Sequence, residues 1–218
     1  MNVQAFIPDW PGEKQHADQV ANQVARIFPT RILDNPTEYF NAQWERARSE
    51  FTGDVLLWVM ADVTLPIQNN FRAMCDEMVR VMEGGKVGWY APNVDWTGFI
   101  FNQTLLPQFE PGIYEVPNTD SLCFAIRGDV VRAMPRVDLA TGAAGMWGMD
   151  FTAILTAHNM GLRIVRDYRF KCQHPNNTGY DIETASRGMK QLFESFNPVF
   201  RAQMKEWIAK TNNMKVRP

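Results

Sequence analysis

The sequence predicts an α/β fold: a mostly parallel sheet flanked by helices, followed by a helical C-terminal segment. Three observations predict it. Short apolar runs closed by Pro, Asp or Gly alternate, over the first 90 residues, with stretches whose apolar residues recur at three- and four-residue steps. Residues 55–60, VLLWVM, are apolar without a break, which is the pattern of a strand buried on both faces. Strand and helix then alternate in an order that builds parallel sheets, because each crossover must carry the chain back to its starting edge.

Each element has its own signal. Residues 3–8 (VQAFIP) read as a strand closed by proline. Ala17, Val20, Ala21, Val24 and Phe28 form the core stripe of a helix. Residues 31–33 are a second short strand, and Asn35 is placed to cap the helix striped by Phe40, Trp44, Ala47 and Phe51. After the strand at 55–60, Ile67, Phe71, Met74, Met78 and Val81 stripe a third helix, stopped by Gly84 and Gly85. Residues 87–90 are a fourth strand. Residues 91–120 hold four prolines and mixed polar and aromatic residues, so they read as irregular or as a small hairpin. Residues 122–126 look like a strand, and 141–150 form a glycine-rich loop leading into a helix. Phe151, Ile154, Leu155 and His158 make that helix's apolar face, Gly161 ends it, and 162–166 are a last strand. From about Ile182 the pattern is helical again, with Pro198 breaking or kinking it.

Composition narrows the class. The chain has 218 residues, 22 Lys or Arg against 24 Asp or Glu, and 45% hydrophobic residues. That suits one domain, 1–218, with halves at about 1–90 and 91–176 and C-terminal helices at about 180–211. It is too apolar for a disordered chain, and no run reaches the roughly 18 apolar residues of a membrane span. The start, MNVQAFIPDW, has neither the basic nor the apolar region of a signal peptide. Three spaced cysteines (Cys75, Cys123, Cys172) point to reduced thiols and a cytoplasmic setting. A charge of -2 argues against strong non-specific polyanion binding. Most of the seven Trp and fourteen Phe are expected to fill the core.

Ligands of open parallel sheets bind beyond the carboxyl ends of the strands. There the sequence places Asp9, Asp34 and Asp62, one after each of the first three strands. Together they can accept hydrogen bonds from a base and sugar or hold a divalent cation; singly, Asp34 and Asp62 read as caps or turns. Asp150 suits the N-terminus of its helix on dipole grounds alone. His174 stands in a polar Gln-His-Pro-Asn-Asn loop, whereas His158 reads as a core residue and His16 as surface.

In combination these segments resemble a known family. Strand-Pro8-Asp9, then Arg31-Ile-Leu-Asp34, then Gly53-Asp-Val-Leu-Leu-Trp-Val-Met-Ala-Asp62 resembles the nucleotide-binding half of glycosyltransferases with the A-type (GT-A, Rossmann-like) fold. Asn118-Thr-Asp-Ser-Leu-Cys-Phe-Ala-Ile-Arg resembles the strand before their acceptor site. Met146-Trp147-Gly148-Met-Asp150 resembles the motif carrying their catalytic carboxylate, and the segment ending in His174 their closing strand and late histidine. The resemblance spans roughly residues 3–176. It implies a nucleotide-sugar donor held by Pro8, Asp9, Asp34, Trp147 and Gly148. It further implies Mn²⁺ or Mg²⁺ at Asp62 and His174, and Asp150 as the base.

Two positions depart from the family pattern. Met60 stands where the first Asp of an Asp-x-Asp motif would be, and Met149 where many relatives are acidic. These departures keep open a non-catalytic nucleotide- or carbohydrate-binding module. A sugar-phosphate nucleotidyltransferase is disfavoured, because Pro8-Asp9-Trp10-Pro11 lacks a Gly-rich basic loop. The acceptor is open between a saccharide and modified DNA. The compact size resembles small phage-type enzymes acting on hydroxymethylated DNA bases; Arg163, Arg166, Arg169 and Lys171, with Arg187, Lys190, Arg201 and Lys205 downstream, read first as solvated charge and otherwise as a basic rim for diphosphate or an anionic acceptor.

Overall fold

The computed structural model describes residues 1–9, 12–33, 40–95, 97, 99–137, 148–174 and 182–212. Its strands are β1 (Val3–Pro8), β2 (Thr30–Leu33), β3 (Val55–Val59), β4 (Val87–Val94), β5 (Gln108–Glu110), β6 (Ile113–Glu115), β7 (Cys123–Arg127) and β8 (Arg163–Cys172). The helices are α1 (Lys14–Val24), α2 (Phe40–Glu50), α3 (Gln68–Glu83), α4 (Gly128–Ala133), α5 (Met149–Asn159), α6 (Ile182–Ser195) and α7 (Pro198–Asn212).

All eight strands join one sheet in the order β2-β1-β3-β7-β4-β8-β6-β5. The expected alternation is present, and β2-β1-β3 and β4-β8 pair in parallel. Between these groups β7 runs antiparallel to both neighbours, with Val59 opposite Cys123 and Tyr90 opposite Ala125. The sheet is therefore mixed, and the start of β7 lies at the same edge as the carboxyl ends of β3, β4 and β8. The segment 91–120, expected to be irregular or a small hairpin, does contain a hairpin, and its first residues extend a strand. β4 continues through Ala91 and Pro92 to Val94, and 108–115 fold into the β5-β6 hairpin at the sheet edge. β8 is likewise longer than the strand expected at 162–166 and runs on through Lys171 and Cys172.

β3 is buried along its whole length, as its unbroken apolar run requires. Around it Phe40, Trp44, Trp58, Trp89 and Phe124 pack ring against ring, with centroids from 4.1 Å (Trp89–Phe124) to 6.3 Å (Trp58–Phe124). These aromatics form core, as expected; Trp10, Trp96 and Trp147 lie outside the described residues. The three cysteines are free and buried. Among the described residues no helix is long and apolar enough to cross a membrane.

Candidate active site

The site is built from strand ends. β1 ends at Pro8, and Asp9 directly after it is 3% exposed. The Asp9 amide donates to the Leu33 carbonyl at 3.4 Å, and its own carbonyl accepts from Gln43 Nε2 at 2.8 Å. Gln43, fully buried on α2, thus ties the ends of β1 and β2 together, a role its polar type did not announce. Asp34 and Trp147, expected at the donor, lie outside the described residues.

After β3 the chain turns through Met60, Ala61 and Asp62, with Val63 N–H donating to the Met60 carbonyl at 3.2 Å. Met60 is 9% exposed, and its sulfur accepts from Trp58 Nε1 at 3.4 Å. The methionine therefore fills core at the position where the family resemblance expects an aspartate. Asp62 points elsewhere and meets His174, with Nε2 to Oδ2 at 3.2 Å. Two loops 112 residues apart in sequence are held in this register by a two-way backbone bridge between Thr64 and Gln173, at 2.9 and 3.0 Å. The His174 amide also donates to Asp95 Oδ1, beyond β4, at 3.1 Å.

Asp120 reaches the same edge because β7 is antiparallel. Its Oδ2 accepts from Thr97 Oγ1 and, at 3.2 Å, from Arg166 Nη2. Arg166 is 2% exposed and donates its Nη1 to the Phe99 carbonyl at 2.9 Å. Thr119 is anchored by Trp89 Nε1 at 3.1 Å. Burial raises the Asp120 carboxyl, while Arg166 and Thr97 oppose that rise. The sequence did mark this segment, but only as part of a strand; a carboxylate beside a buried arginine partner 46 residues away has no local signature.

Asp150 occupies the first turn of α5. Burial pushes its carboxyl up to about 7; the Phe151 amide, at 2.9 Å from Oδ1, opposes this, and the negative charge of Asp120 adds to it. A carboxylate poised near neutrality can take a proton at physiological pH and hold it. Gly148, expected at the donor, is the N-cap of α5 with φ +107°, and its Cα is covered by α6.

Of the remaining expectations, two are placed differently and one is met. The β8 arginines do not form a free basic rim. Arg163 pairs with Glu115, Arg166 with Asp120, and Arg169 with Asp167 and Glu77 at 2.7 and 2.5 Å. His158 is exposed and lies over Trp207 of α7 with ring centroids 4.4 Å apart, not in the core. His16 is at the surface beside Glu13, as expected.

The donor set can be tested against a divalent cation. Among the described residues no group of three or more His, Cys, Asp or Glu side chains is gathered for one. The Asp62–His174 pair nevertheless fits a low-affinity ion: Asp62 Oδ1 is buried with no hydrogen-bond partner among the described residues, and an imidazole nitrogen lies beside the other carboxylate oxygen. Mg²⁺-type ions commonly complete such a set with water and substrate phosphate.

No protein-family model matches the sequence, and no curated protein matches it. Among solved structures the chain is similar to S. aureus TarS 1-349 in complex with UDP-GlcNAc (TM-score 0.60, 11% identity, covering 98% of this chain and 72% of that one). It is also similar to GalNAc-T7 with UDP, GalNAc and Mn²⁺ (TM-score 0.56, 10% identity, 96% of this chain and 51% of that one, so about half its length). A197 from STIV is a third (TM-score 0.50, 18% identity, 81% and 87%). Identity this low speaks to architecture, and in architecture the chain has the A-type glycosyltransferase fold.

Proposed function

We propose that this protein transfers a sugar from a nucleotide-sugar donor to an acceptor hydroxyl, with Asp150 as the base. The observation that carries this reading is the meeting, at one sheet edge, of the Asp62–His174 pair, the Asp120–Arg166 pair and a half-buried Asp150 carboxyl raised to about 7. The bound UDP-GlcNAc of TarS, and the UDP and Mn²⁺ of GalNAc-T7, support the choice of ligands.

In the transfer, Asp150 takes the acceptor's O–H proton as the oxygen bonds to the anomeric carbon. The bond from that carbon to the phosphate oxygen breaks, and its electron pair leaves with the nucleoside diphosphate. Asp9 and Asp34 line the base end of the donor, with Pro8 shaping the loop and Trp147 and Gly148 closing the sugar end. Asp62 and His174 would hold Mn²⁺ or Mg²⁺, which when bound neutralises charge on the departing diphosphate.

Asp150→Asn tests the base. Turnover should fall about 10²- to 10⁴-fold while UDP affinity is retained, and unchanged turnover removes Asp150 from the role. The inward-turned Met60 favours one alternative, a non-catalytic binder of the same ligands, in which neither protein would turn over UDP-GlcNAc. The donor site is read by thermal shift with UDP, with and without Mn²⁺; a ligand at 100 times its dissociation constant stabilises by ≈ 2.7 kcal/mol. A shift only with Mn²⁺ supports the Asp62–His174 site, and a metal-independent shift removes those two as ligands. A hydroxymethylated pyrimidine of DNA as acceptor rests on the exposed cations of α6 and α7, Lys190 and Lys205 among them, since the β8 arginines are paired internally. It requires a duplex affinity that falls steeply with salt.

A further inference from the structure

α6 lies against the start of α5 more closely than an ordinary packed helix would. A methyl group on Gly148 would come within 3.0 Å of Leu192 Cδ2 and Phe193 Cε1 and 3.1 Å of Met189 Cγ. Positions 189, 192 and 193 share one helical face, so a single stripe of α6 closes over the residue two before Asp150. Only a glycine, at φ +107°, admits this approach. The contact continues outward. The Phe193 ring meets the Phe151 ring edge-on, with centroids 6.4 Å apart at 90°, and Phe151 meets Phe99 at 6.2 Å. The Phe99 carbonyl is in turn the acceptor of Arg166 Nη1, and Arg166 holds Asp120. One row of three rings thus links α6 to both carboxylates at the site. α7 secures the other end of α5 through the His158–Trp207 stack and the bond from Asn159 Nδ2 to Gln203 at 3.2 Å.

We propose that α6 is the positioning element for the catalytic carboxylate, with Phe193 as its key positioning residue, seating the first turn of α5 through Gly148 and Phe151 and excluding water from the Asp150 side chain. The inference rests on Asp150 being the base. The contact reaches Gly148, proposed at the sugar end of the donor, whereas Asp9 and Asp62, proposed at the nucleotide base and the metal, follow the ends of β1 and β3. Loss of the brace should therefore reduce turnover without reducing affinity for UDP, which lacks the sugar.

The charged groups around Asp150 allow a second readout. Asp120 faces it from the start of β7. The charged side chains of α6 near the contact are exposed and engaged elsewhere, Lys190 with Glu194 at 4.0 Å and Arg187 with Thr184 at 3.4 Å. On this proposal Phe193 keeps water from Asp150 indirectly, by packing against Phe151 and over Gly148, so its removal admits water and moves the ionisation downward.

The experiment compares Phe193→Ala and Phe193→Leu with the wild type, using UDP-GlcNAc and Mn²⁺. It reads hydrolytic turnover as a function of pH, UDP affinity by calorimetry, and amide exchange of the first α5 turn. Phe193→Ala is expected to lower kcat about 10- to 100-fold, the scale of a roughly 1 Å misplacement. UDP affinity should stay within about twofold, the acid limb of the pH profile should move down, and first-turn exchange should accelerate. Phe193→Leu should recover part of each change. Should the alanine variant fold poorly, the leucine variant alone carries the test. Unchanged kcat and exchange, or a parallel loss of kcat and UDP affinity, overturns the brace. If Asp150→Asn keeps full turnover while Phe193→Ala still frees the first α5 turn, the base assignment has failed and the brace has not.

Discussion

Asp150 combines two demands that usually separate. It begins a helix, where the backbone N–H groups favour a carboxylate, and it is covered enough that burial outweighs them and leaves it at about 7. In the proposed role as base Asp150 must be ionised to work, so kcat/KM should rise with pH up to about 7 and level off above it. Asp120→Asn provides the sign test. Removing that negative charge makes the ionised Asp150 less costly, so the acid limb should move to lower pH. Burial is the larger cause, so the limb should remain above the ordinary range near 3.8. The amide oxygen of the variant can still accept from Thr97 and Arg166, which keeps the loop in place. A limb that moves upward, or not at all, would remove Asp120 as a neighbour that matters. Asp150 and Asp120 also differ in legibility. A glycine-rich loop running into a helix marked the first, whereas the second depends on Arg166 arriving from another strand.

At the scale of elements, α2 does more than cover the sheet. Arg48, 8% exposed, binds Glu45 at 2.6 Å and the carbonyls of Met134 and Pro135 at 2.8 and 3.0 Å. The Val137 amide donates to the same Glu45 at 3.3 Å. These bonds hold the chain leaving α4. Arg48→Met should cost about 1–3 kcal/mol, because it leaves the Met134 and Pro135 carbonyls without this donor while Glu45 keeps Arg136 and the Val137 amide; urea unfolding measures it, and a loss below about 0.5 kcal/mol would show that these groups are solvated. The edge hairpin is held by charge in a similar way. Tyr90, Asp167, Arg169, Glu77, Arg80 and Glu110 form a continuous chain from β4 through α3 to β5. Helix periodicity located α2 and α3 in the sequence; it could not locate these partners, which lie up to 92 residues apart.

Across the whole molecule that chain of charges predicts an acid response. The hydrogen bond from Arg80 is the largest cause, and together with the hydrogen bond from Arg169 and both positive charges it outweighs burial and holds the Glu77 carboxyl down at about 2. A carboxyl lowered by folding contributes stability that is present above its unfolded value near 4.5 and is lost as pH falls toward 2. Glu77→Gln should therefore lower Tm at pH 7 and lower it much less at pH 2.5. An equal loss at both pH values would mean that packing, and not charge, accounts for the residue.

The sequence by itself determined the kinds and order of the elements. Helix stripes, the buried run of β3 and the stops at Pro and Gly are written in residues a few positions apart, where local sterics and burial decide. It also marked Asp62, Asp150 and His174, because their neighbours are short motifs. Only the tertiary structure decided that β7 runs antiparallel and delivers Asp120 to the site edge, that Met60 turns into the core, that the β8 arginines are consumed by internal partners, and that Gly148 serves the approach of α6. Each of these is a contact between distant segments. Strand direction, charge partners and close backbone approach depend on which surfaces the folded chain brings together, and no local periodicity records that.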